Sequence, residues 1–114
     1  MVATADVARV AAELLQETWN GRRVVELEGP RRVTPNEIAT TFADLLGRPV
    51  RMEPVPRKTW ESLFKSQGMK NPIPRIKMLD GFNEGWIEFE NAESGSRKGR
   101  VGLQAVLQTL VELR

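Results

Sequence analysis

The chain has 114 residues, of which 40% are hydrophobic and 28% charged, and its formal net charge is +2. That length holds one small domain rather than two, the mixture is that of a globular chain, and so small a charge gives no ground for nucleic-acid binding. Histidine, cysteine and tyrosine are absent, which excludes disulfides, thiolate chemistry, Ser-His-Asp and Cys-His triads and the usual zinc sites.

Taken in order, the first element is a helix. Val7, Val10, Ala11, Leu14 and Leu15 recur at spacings of three and four, Thr4 is placed to cap the segment, Asp6 favours its first turn, and Asn20-Gly21 ends it. The run Val24–Leu27, closed by Gly29-Pro30, predicts a strand. Thr34-Pro35-Asn36-Glu37 has the form of a capping box with proline at the first helical position. Ile38, Phe42, Leu45 and Leu46 then give a buried face, and Gly47 stops the helix. Residues Val50 to Val55 alternate and predict a second strand, near an edge because of Pro54. Pro56 opens a short helix through Gln67. Ile76, Leu79, Phe82, Trp86 and Phe89 keep helical spacing from Pro74 to about Phe89, although Gly81 and Gly85 weaken it. Residues 91–100, polar and rich in glycine and serine, read as a mobile loop, and a last amphipathic helix begins at Leu103.

The expected fold class is therefore α/β: one helix-rich domain over residues 1–114 with a small two-stranded parallel β-α-β unit at about residues 23–55. Two parallel strands do not make a sheet that stands alone. Either they join another sheet or two copies pair, so self-association through exposed strand edges is expected.

Little in the sequence carries chemistry. Gly95, Gly99 and Gly102 do not form a phosphate-loop motif, and a flexible linker is the simpler reading. Asp80, Glu84 and Glu88 stand four apart, which on a helix gives either a carboxylate cluster for a cation or acid–base work, or a solvated face. Arg22, Arg23, Arg31 and Arg32 flank the first strand and could meet an anion or nucleic acid, but no aromatic residue is interleaved for base stacking. Trp60, Phe64, Met78, Phe82 and Trp86 form the candidate pocket or partner surface, with plain core as the other reading. No catalytic, cofactor-binding or metal-ligating residue emerges.

Three stretches taken together carry a resemblance. They are VATADVARVAAELL (residues 2–15), VVELEGPRRVTPNEIATTFADLLGRPVRMEPVPRKTWESLF (residues 24–64) and MLDGFNEGWIEFE (residues 78–90). They resemble the C-terminal part of NmrA-like proteins, a branch of the atypical short-chain dehydrogenase/reductase superfamily. The strand-GP-x-x-x-[ST]-helix-LGRPV-strand-VP order is the most specific element. The resemblance implies the substrate side or lid of a cleft in an NAD(P)-dependent reductase or redox-sensing regulator. In such proteins the dinucleotide is held by an N-terminal Rossmann domain through a glycine-rich turn. Nothing in these 114 residues corresponds to that turn, and the Tyr-x-x-x-Lys pair of classical short-chain reductases is missing too. The implied expectations are a chain inactive alone, with no cofactor of its own, partnered by itself or by a Rossmann-domain chain; the cytoplasm is the expected compartment, and the nearly balanced charge and short, charged apolar runs give no expectation of nucleic-acid or membrane binding. A non-enzymatic ligand- or protein-binding module is the alternative.

Overall fold

The computed structural model describes residues 1–91 and 95–113. Helix α1 spans Thr4–Leu15, with Ala3 as its cap residue. Thr4 lies inside the helix and makes no capping bond, and the helix closes on Gln16 rather than running to Asn20. Strand β1 is Leu27–Glu28. Helix α2 spans Pro35–Leu46 and begins as its sequence predicts: Thr34 Oγ1 accepts from Glu37 N at 3.3 Å, and the Glu37 carboxylate accepts from Thr34 N at 2.7 Å. Gly47 ends it with φ of 62°, a left-handed conformation that glycine adopts without steric cost. A 3₁₀ turn at Arg57–Thr59 leads into α3, Trp60–Ser66. Helix α4 spans Ile73–Glu84, strand β2 is Arg97–Lys98, and α5 spans Leu103–Glu112.

A helix-rich chain with one small two-stranded parallel sheet is what the structure contains, but the second strand is not the expected one. Leu27 and Glu28 pair with Arg97 and Lys98. Arg97 N donates to Glu26 O at 2.8 Å and Gly99 N to Glu28 O at 2.6 Å. Residues 49–56 run without helix, turn or bend and pair with no strand among the described residues. The difference in pairing has a physical cause. Alternation makes a segment suited to a sheet without supplying a neighbour, whereas two buried carboxylates fix the polar segment after residue 95. Asp6 Oδ2 accepts from Arg100 N and Val101 N, both at 2.9 Å. Glu28 accepts from Ser96 Oγ, and from Lys98 Nζ at 2.8 Å. Gly99 lies so close to the Asp6 carboxylate that a Cβ there would collide with it. The region read as a loop thus contributes a strand, and its residues 92–94 lie outside the described part.

The apolar core is thin and divided. Helix α2 packs chiefly on α5, and α3 packs on α4 and on the 3₁₀ turn. Val10, Ala39, Phe64, Ile76 and Leu107 are the buried hydrophobic residues among those described. Outside them, Leu15, Leu110, Leu113, Val24, Phe82 and Trp86 each keep more than half of their surface. The accessible area is 8934 Å² for a 12.9 kDa chain, against about 6,300 Å² for a compact monomer of that mass. The radius of gyration is 17.4 Å, against about 13 Å for a compact domain of this length.

Candidate functional site

β1 and the turn after it place Glu28 and Arg32 beside the segment that leaves α4. Glu28 is buried, yet it stays charged because cations and a hydroxyl reach it. Lys98 Nζ and Ser96 Oγ donate to it, and Arg32 Nε follows at 3.2 Å. Lys98 first, then Ser96, holds its carboxyl down at about 2. The rest of the Arg32 guanidinium grips Glu88 with both terminal nitrogens, at 2.9 and 2.8 Å. This fork, with the Phe89 backbone N–H at 3.0 Å, brings Glu88 down to about 2 as well.

The charged seam lines part of an open cleft of about 490 Å³. Val33, Phe82, Ile87, Phe89 and Met1 give it apolar lining, and Glu28, Arg32 and Glu88 give it polar lining. A second cavity, of about 80 Å³, lies between the 29–33 turn, the first three residues and the start of α5. In the cleft, both carboxylates remain ionised through neutral pH and the arginine is already paired. The arrangement can orient a small ligand against an apolar wall, but these side chains offer no proton carrier poised near neutrality.

The five residues singled out from the sequence do not share one pocket. Phe82 lines the cleft. Phe64 is buried beneath the Arg75 guanidinium, 4.7 Å from the ring centre. Trp60 donates through Nε1 to Val55 O at 3.0 Å, and Arg57 lies over its ring. Met78 is exposed, and so is Trp86, whose Nε1 donates to Glu84 at 2.9 Å. The helix stops at Glu84, where Gly85, Trp86 and Ile87 N–H groups all turn back to Gly81 O, so Trp86 and Phe89 leave the helical face.

The same stop disperses the carboxylate row. Asp80 forms a fork with Arg57, two contacts of 2.8 Å, while Glu88 goes to Arg32. Among the described residues no group of three potential ligands could hold a metal ion. Of the four flanking arginines, Arg32 is held as described, Arg23 pairs with Glu17 at 2.5 Å and Arg31 with Glu37 at 2.6 Å, while Arg22 makes no ion pair among the described residues. What the sequence reading missed was the pairing of Glu28, Arg32 and Glu88. Its only trace was an acidic residue four before an arginine, and the third partner lies 56 positions away.

The turn between β1 and α2 is poorly suited to hold a phosphate group. Pro35 has no N–H at the start of α2, and Thr34 and Glu37 close on each other. The Glu37 carboxylate occupies the place where phosphate would need positive charge. No family model matches the chain, and no curated protein and no solved structure matches it either.

Proposed function

We propose that this domain is the substrate-side wall of a cleft in an NmrA-like NAD(P)-dependent reductase or redox-sensing regulator, and that it is not catalytically competent alone. One observation carries the reading: the chain leaves far more surface uncovered than a domain of its mass needs, and much of it is apolar. A second body, holding the dinucleotide, would cover that surface and close the cleft of Phe82, Ile87 and Phe89 from the other side. Within it, a flat apolar carbonyl compound such as a quinone would lie against the aromatic lining while the Arg32–Glu88 end faces its polar edge. Nucleic acid and membrane have no part in this reading, and the proposed compartment is the cytoplasm. No helix among the described residues is long and apolar enough to cross a membrane.

Titration with a short-chain quinone, followed by tryptophan fluorescence, tests the cleft. Saturable quenching is expected, and Phe82→Ala should weaken it by about tenfold, in line with the loss of one aromatic contact surface. Quenching that is unsaturable, or unchanged in Phe82→Ala, removes the cleft from the proposal. NADPH mixed with quinone and this chain should be oxidised no faster than without it, and turnover would overturn the claim of incompetence.

A second reading is a non-enzymatic module that works as a homo-oligomer. It is favoured by Pro74, Met78 and Phe82, four apart on α4 and all exposed, which form an outward apolar stripe.

A further inference from the structure

Among the described residues, 49–56 are exposed except for Val50, which is half-buried. Arg51, Met52, Glu53, Pro54 and Val55 are exposed. Among the described residues, no N–H of residues 50–55 donates to the protein, and neither Arg51 nor Glu53 has an ion-pair partner. The segment is nonetheless built to be straight. Arg48, Glu53 and Val55 each precede a proline, which drives them away from helical conformation and towards extended chain. Trp60 Nε1 holds Val55 O at 3.0 Å, which fixes the far end. An extended segment with free backbone groups on a fixed support is a template for another strand.

The side chains name the strand. We infer that residues 50–55 pair antiparallel with the same segment of a second copy of this chain, about a two-fold axis between the two Met52 residues. In that register Arg51 lies opposite the partner's Glu53, and Glu53 opposite the partner's Arg51, giving two equal ion pairs on one face. Val50, Met52 and Pro54 meet their counterparts on the other face, so that face is apolar throughout.

The backbone agrees with this register. When the Met52 pair is non-hydrogen-bonded, the two Arg51–Glu53 pairs exchange four N–H···O bonds, and Pro54 falls at a position where no N–H is required. Centring the axis on Arg51 sets two arginines against each other, and centring it on Glu53 sets two glutamates together. A slip by one residue mixes the two faces. Only the Met52 register pairs opposite charges.

The contact gives the homo-oligomer reading a second place on the molecule, apart from the α4 stripe, and it is independent of any ligand in the cleft. Sedimentation velocity over micromolar to millimolar protein tests it. The wild-type chain should pass from monomer to dimer. Arg51→Glu and Glu53→Arg should each weaken association by about tenfold, because each turns both ion pairs into like-charge pairs. The double variant R51E/E53R should restore it to within about twofold. All three change exposed side chains outside the described ion pairs, and circular dichroism should show an unchanged fold. A wild-type chain that stays monomeric overturns both this contact and the homo-oligomer reading. Association that survives the single variants, or that the double variant does not restore, overturns the contact but leaves that reading standing.

Discussion

Asp6 and Glu28 are the residues on which the arrangement turns. Each is an acidic side chain with almost no accessible surface, and each remains charged because donors meet it: two backbone N–H groups and Arg9 for Asp6, and Lys98, Ser96 and Arg32 for Glu28. The hydrogen bonds from Val101 and Arg100 hold the Asp6 carboxyl below the usual range. For Glu28 and Glu88 the fall is from an ordinary 4.5 to about 2. A carboxylate whose pKa is lower in the folded chain stabilises it fully above its unfolded value, and that contribution fades as pH falls towards the folded value. The stability of the chain should therefore be level between pH 6 and 8, with no histidine to titrate there, and should drop steeply between about pH 4.5 and 2. Urea midpoints across that range check it, and Glu88→Gln should flatten part of the acid slope.

At the scale of elements, α2 is the one whose making is written locally. Thr34→Ala removes the hydroxyl that accepts from Glu37 N, and should cost about 1 kcal/mol in urea denaturation, with an unchanged slope. The capping box, Pro35 and Gly47 were legible because each acts within four residues of itself. β2 was not legible, since Arg97 and Lys98 have no strand character of their own. They lie in a strand because Glu28 accepts from Lys98, 70 positions on, and Asp6 accepts from Arg100, 94 positions on. Residues 50–55 failed in the opposite way: their pattern is that of a strand, but a pattern does not supply a partner. Phe82 was picked out with four other apolar residues by composition. Whether Trp86 continues the helical face of Phe82 depends on where α4 stops, and three N–H groups converging on Gly81 O decide that.

For the whole molecule, the decisive property is openness. Two helix pairs, α2 with α5 and α3 with α4, each bury a few side chains, and little apolar material joins them. Small-angle scattering on dilute, monomeric chain should give a radius of gyration near 17.4 Å. A value near 13 Å, that of a compact domain of this length, would mean that the two pairs collapse on each other in solution. The same measurement at high concentration separates the two uses of the open surface, since a dimer through residues 50–55 lengthens the particle whereas a second body over α4 fills it out.

The bond between Asp6 and residues 100 and 101 has a consequence for how the chain is born. The partners are 94 and 95 positions apart, and the strand pair closes across a comparable span. While the chain is being made, β1 has no strand partner, and Asp6 has no donors from residues 100 and 101, until that segment has emerged. The local parts, above all α2 with its complete cap, can form early; the seam that joins them closes late and all at once, after a slow search over most of the chain's length.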